Sequence, residues 1–132
     1  MKKILLIDDD PALRSAVAQS LARSGYQVVE AGNGAEGLSI YRADPADLII
    51  TDIVMPEKEG LETIMELRKE FPSVKVIAIS GGGRNRPGDY LPVAKRLGAN
   101  RALAKPFSRS ELLAVVRELL GTEGGPNAPP RE

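Results

Sequence analysis

Six residues combine types and spacings that can do chemistry together: Asp8, Asp9, Asp10, Asp52, Ser80 and Lys105. Each stands at or just beyond the end of a short apolar run, or opens the stretch that follows it. A strand backbone there would hold the side chain rigidly. Clustered carboxylates are poor material for stability. Two like charges about 4 Å apart repel by roughly 4 kcal/mol at an effective dielectric near 20, and one or two kcal/mol is a large share of a small domain's total. A hard divalent cation relieves such repulsion. Mg2+ takes oxygen ligands, commonly one or two carboxylates, and leaves its other positions to water and phosphate oxygens. Beside it a carboxylate can act as nucleophile toward phosphorus and form an aspartyl phosphate. Phosphoryl transfer asks mainly for positioning and for neutralisation of charge on the transferring oxygens. Asp52, closing the run LIITD, is the candidate nucleophile. Lys105 can supply a point charge facing it, and Ser80 a hydroxyl donor.

Taken singly, these residues have plainer readings. Asp10 before Pro11 reads as a helix N-cap. Asp8 and Asp9 alone would be solvated loop acids, Ser80 before three glycines the start of a turn, and Lys105 a solvent-facing cation. Their convergence carries the functional reading, and convergence depends on the elements that position them.

Five short apolar runs alternate with amphipathic stretches. The runs at 4–7, 26–31, 48–52, 74–80 and 101–104 read as strands. Helices are expected from Pro11 to a stop at Gly25, over 35–42, over 61–71, over 90–97, and from a Ser108–Glu111 capping box through Leu120. Leu13, Val17 and Leu21 mark the apolar face of the first helix; the third carries Leu61, Ile64, Met65 and Leu67. The alternation predicts an α/β fold, a doubly wound five-stranded parallel sheet with helices on both faces. Strands that are continuously apolar agree, since both sheet faces are covered. In such sheets ligands bind outside the carboxyl ends of the strands, where the polar residues stand. The folded domain is expected over residues 1–121. The stretch TEGGPNAPPRE, 122–132, lacks apolar periodicity and is expected to be a disordered C-terminal tail or the start of a linker.

Eighteen basic and eighteen acidic residues give no net charge, so nothing global points to nucleic acid or an anionic membrane. There is no cysteine, which excludes disulfides and thiolate chemistry, and no histidine, so any phosphohistidine belongs to another molecule. The start MKKILLIDDD does not read as a signal peptide. No stretch approaches the roughly 20 apolar residues of a membrane span. A cytoplasmic protein is expected. The glycine-rich stretch GGGRNRPGD, with Arg84 and Arg86, lacks the G-x-x-x-x-G-K-[ST] spacing of a phosphate loop.

The motifs IDDDPALR, DLIITDIVMPEKEG, VIAISG and AKPFS occur in this order over nearly the whole expected domain. In this the chain resembles the CheY-like receiver domain of two-component response regulators. The resemblance implies a flavodoxin-like (βα)5 fold with strand order 2-1-3-4-5, which sets the first and third strands side by side. It implies that Asp52 is the phosphoacceptor, that Asp9 binds Mg2+ directly and Asp8 through metal-bound water, and that the backbone carbonyl of Val54 is a further ligand. It assigns Ser80 to the family's hydroxyl position, Lys105 to its phosphate-contacting lysine, and Pro106 to a proline preceded by a cis bond. One position departs from the family. Ala102 stands where an aromatic side chain normally switches rotamer, so either that coupling is absent or the glycine-rich segment into the fourth helix, with Tyr90, carries the signal instead.

The expected function is a phosphorylation-controlled signalling receiver. It takes a phosphoryl group from a sensor histidine kinase or a histidine phosphotransfer protein and acts through contacts with a downstream protein, without binding nucleic acid or membrane. One alternative is a phosphorylation-independent interaction module. Another is a small aspartyl-phosphate phosphatase, which needs a second acid two residues after the nucleophile, where Val54 stands. The carboxylate repulsion leads to one further expectation, that Asp52→Asn stabilises the metal-free protein.

Overall fold

Short aliphatic runs bounded by capping residues set the element boundaries. A computed structural model describes residues 1–53, 59–80, 95–96 and 98–121. In chain order the elements are β1 (Lys3–Ile7), α1 (Pro11–Arg23), β2 (Gln27–Ala31), α2 (Gly34–Ala43), β3 (Leu48–Asp52), α3 (Glu59–Glu70), β4 (Val76–Ser80), β5 (Arg101–Ala104) and a C-terminal helix (Arg109–Leu120). The glycine-rich loop with Arg84 and Arg86, Tyr90, Val54 and the tail 122–132 lie outside the described residues. Of the helix expected over 90–97, Lys95 and Arg96 are described and helical.

The five strands form one parallel sheet in the order β2-β1-β3-β4-β5. Alternate residues of each strand enter opposite cores. Leu5, Ile7, Ile49 and Val76 pack with Leu38, Tyr41, Ile64 and Leu67 under α2 and α3. Ile4, Leu6, Leu48, Ile50, Ile77 and Ile79 pack with Val17, Leu21, Leu112 and Val116 under α1 and the C-terminal helix. Every residue of β3 and β4 is buried, which accounts for the apolar runs that precede Thr51 and Ser80.

The helix ends follow local chemistry. Asp10 caps α1, its carboxylate accepting from the Ala12 and Leu13 N–H groups. The helix ends in a Schellman motif: the Gly25 and Tyr26 N–H groups donate to the Ala22 and Leu21 carbonyls. Gly25 takes φ 100°, the left-handed conformation such an ending requires. The capping box between Ser108 and Glu111 opens the C-terminal helix. Among the described side chains of α3, Thr63, Ile64 and Leu67 are buried, while Met65 is half exposed. Met65 lies about 100° around the helix from Ile64.

Two tight contacts bear on the site. Gly37 brings α2 against the end of β1, where a Cβ would lie 2.4 Å from Ile7 Cδ1. Asn100, just before β5, accepts from the Val76 N–H at 2.8 Å and from Arg68 at 3.0 Å. Arg68 also donates to the Gly98 carbonyl at 2.7 Å. The end of α3 is thereby tied to the entry of β5, the strand that delivers Lys105.

Candidate functional site

Strand register does most of the placement. Ile7 pairs with Thr51, Thr51 with Ala78, and Ala78 with Ala102. One residue further along, Asp8 follows β1 beside Asp52, and Asp52 pairs with Ile79. Next comes Ser80, paired with Ala104. The Lys105 N–H then donates to the Ser80 carbonyl at 2.7 Å. A single carboxyl edge therefore receives all of these groups.

Side-chain geometry tightens the cluster. Carboxylate oxygens of Asp8, Asp9 and Asp52 lie within 4.8 Å of one another. Lys105 Nζ is 3.0 Å from Asp52 Oδ2 and 3.9 Å from Asp8 Oδ2. Asp8 and Asp52 are 3% and 4% exposed, so two of the charges are held almost out of water, whereas Asp9 faces solvent. Ser80 is fully buried at the end of β4. Asp10 does not join the cluster, because its carboxylate caps α1. The Lys105–Pro106 peptide is cis, as the resemblance implied. Ala102 is half-buried. Val54, whose carbonyl the resemblance made a ligand, lies outside the described residues.

The electrostatics favour a cation. Three carboxylates and one ammonium sum to −3 + 1 = −2. Burial pushes the Asp8 carboxyl above the usual carboxylate range, and the charges of Asp52 and Asp9 add to the rise. The Asp10 N–H, which donates to Asp8 Oδ1 at 2.9 Å, and the Lys105 ammonium oppose it. Hard oxygen donors carrying two net negative charges match a divalent ion such as Mg2+ in both charge and ligand type.

Two residues absent from the sequence reading hold this edge in shape. Arg14 donates to the Asp8 carbonyl at 2.7 Å and pairs with Glu30 at 3.0 Å. The available signal was an arginine in the first turn of a helix that opens directly after an acidic loop, facing a glutamate one residue from the end of β2.

With that geometry in place, the comparisons with known proteins are decisive. The sequence model of the response regulator receiver domain matches residues 4–117. The chain belongs to this family. The receiver domain is 40% identical over 130 residues to the DNA-binding transcriptional regulator NtrC of Azospirillum brasilense, a match covering 98% of this chain and 26% of NtrC. The crystal structure of the receiver domain of NtrX from Brucella abortus superposes with a TM-score of 0.82 at 29% identity, covering 90% of this chain and 98% of that one. Response regulator protein TrrA from Thermotoga maritima, in complex with Mg2+-BeF, gives 0.80 at 32% identity over 90% and 99% of the two chains. The chain spans between 12% and 57% of the length of curated relatives it matches. Among the described residues, no helix is long and apolar enough to cross a membrane.

Proposed function

We propose that this receiver domain accepts a phosphoryl group on Asp52 from the phosphohistidine of a sensor histidine kinase or a histidine phosphotransfer protein, in a Mg2+-dependent reaction. The observation that carries the proposal is a buried strand-end carboxylate, Asp52, with an ammonium 3.0 Å away and two further carboxylates within 4.8 Å. Asp8, Asp9 and Asp52 would hold the ion, together with the Val54 carbonyl implied by family resemblance. When bound, Mg2+ supplies charge neutralisation for the carboxylates and for the phosphoryl oxygens.

The chain's own residues do the rest. An Asp52 carboxylate oxygen forms the new O–P bond as the donor's N–P bond breaks, and the imidazole leaves with the electron pair. Lys105 holds positive charge on the side of the phosphoryl oxygens, and the Ser80 hydroxyl donates to one of them. β3 keeps the acceptor from swinging away, since both of its neighbours in the sheet pin it. The phosphorylated domain acts through protein contacts in the cytoplasm, with the glycine-rich segment 81–97 transmitting the change in place of an aromatic at position 102. The lack of net charge agrees with a partner other than nucleic acid. The domain extends over residues 1–121.

Amide NMR spectra with Mg2+ and beryllofluoride test this. Shifts centred on Asp9, Asp52, Ser80 and Lys105, requiring both components, are expected. Spectra unchanged by the pair of reagents would point to an interaction module that works without phosphorylation.

A further inference from the structure

Arg14 links three elements at the edge where the proposed metal site lies, and the inference below rests on that site. Its Nη1 donates to the Asp8 carbonyl at 2.7 Å, and its Nε pairs with Glu30 Oε1 at 3.0 Å. The side chain is only 21% exposed. A Cβ on Gly32 would sit 3.3 Å from Nη1, so the guanidinium lies against bare backbone after β2. The Gly32 N–H is itself held by Glu36 at 2.8 Å.

The bond to Asp8 falls at a sensitive point. The accepting carbonyl belongs to the peptide that joins Asp8 to Asp9, so fixing it fixes the plane from which both acids project. The Asp8 N–H is held by the Ala31 carbonyl at 3.1 Å, and Oδ1 accepts from the Asp10 N–H at 2.9 Å. With both peptide ends and one carboxylate oxygen committed, Oδ2 is the atom left facing the cluster, 3.9 Å from Lys105 Nζ.

We infer that Arg14 is a positioning residue for Mg2+ capture, its guanidinium fork anchoring the Asp8–Asp9 peptide to Glu30 so that the two carboxylates converge with Asp52. Charge and geometry predict opposite signs here. As a cation beside an acidic site, Arg14 disfavours a second cation, so removing it for charge alone would tighten Mg2+ binding. As an anchor, removing it weakens binding, because partners that orient metal ligands are worth about 10- to 100-fold in affinity. Lysine separates the two further: it keeps the charge but cannot span both the carbonyl and Glu30 with a planar fork.

The test titrates the full chain, stripped with EDTA, with Mg2+ alone, reading Kd by calorimetry and the melting temperature in EDTA in parallel. Arg14→Ala and Arg14→Lys are each expected to weaken Mg2+ about tenfold while the metal-free melting temperature stays close to that of the parent. Mg2+ binding that tightens or holds in Arg14→Ala overturns the inference. Parent-like affinity in Arg14→Lys does the same, and that variant decides alone if Arg14→Ala does not fold. A parent protein that ignores Mg2+ contradicts the metal site itself, whereas a parent response preserved in both variants overturns only the role of Arg14.

Discussion

Asp8→Asn isolates the electrostatic strain built into the site. The Asp8 carboxyl is repelled by Asp52 at 4.8 Å or less, worth at least about 3 kcal/mol at an effective dielectric of 20. Lys105 at 3.9 Å returns about 4 kcal/mol. Asp9 is exposed and its repulsion is screened by water. The charges therefore nearly balance, and burial at 3% exposure decides the outcome against the ionised form. Asparagine removes the buried charge and keeps an oxygen for the Asp10 N–H. We expect the metal-free variant to be more stable by about 1–2 kcal/mol, or about 4–8 °C in melting temperature. Thermal melts in EDTA at neutral pH measure this. Mg2+ should reverse the order, since the variant lacks one of the three carboxylates. The pH dependence has a definite sign. The folded-state value lies above the ordinary 3.8, so the folded protein holds this proton more tightly than the unfolded chain. The group's favourable contribution is complete below about 3.8 and is lost as pH rises through the folded value. The advantage of Asp8→Asn should accordingly shrink as pH falls through that window. A variant that melts below the parent in EDTA at neutral pH would refute the reasoning.

Lys105→Met removes the ammonium 3.0 Å from Asp52; phosphorylation by acetyl phosphate should slow about 100-fold, read by intact mass against time. Gly37→Ala drives a Cβ toward Ile7 Cδ1, and an overpacking cost of about 1–3 kcal/mol should exceed the roughly 1 kcal/mol gained in helix propensity, lowering the midpoint of urea unfolding. Asn100→Ala leaves the buried Val76 N–H and Arg68 without their shared acceptor and should cost about 1–3 kcal/mol in the same assay.

Much of this was legible in the sequence because it depends on local patterns. The strands announce themselves as aliphatic runs, and Asp10-Pro11 and Ser108–Glu111 mark helix starts by capping chemistry alone. Parallel pairing then forces strand-end residues to one edge, so Asp8, Asp52, Ser80 and Lys105 could be grouped before any distance was known. Long-range geometry was not legible. Arg14 and Glu30 meet across 16 positions of sequence, and neither has a motif that predicts the other. The expectation that Asp52→Asn stabilises the metal-free protein rested on repulsion alone, without a distance to Lys105. At 3.0 Å that ammonium returns about 5–6 kcal/mol to Asp52, enough to offset one carboxylate neighbour, and the unrelieved burial falls on Asp8 instead.

Acceptance of a phosphoryl group by Asp52 is the central claim, and intact-mass measurement after incubation with Mg2+ and acetyl phosphate tests it most directly. The parent protein should gain the mass of one phosphoryl group, lose it on standing or with hydroxylamine, and gain nothing when Mg2+ is chelated or Asp52 is changed to asparagine. An equal gain in Asp52→Asn, or none in the parent protein at saturating Mg2+, would contradict the account.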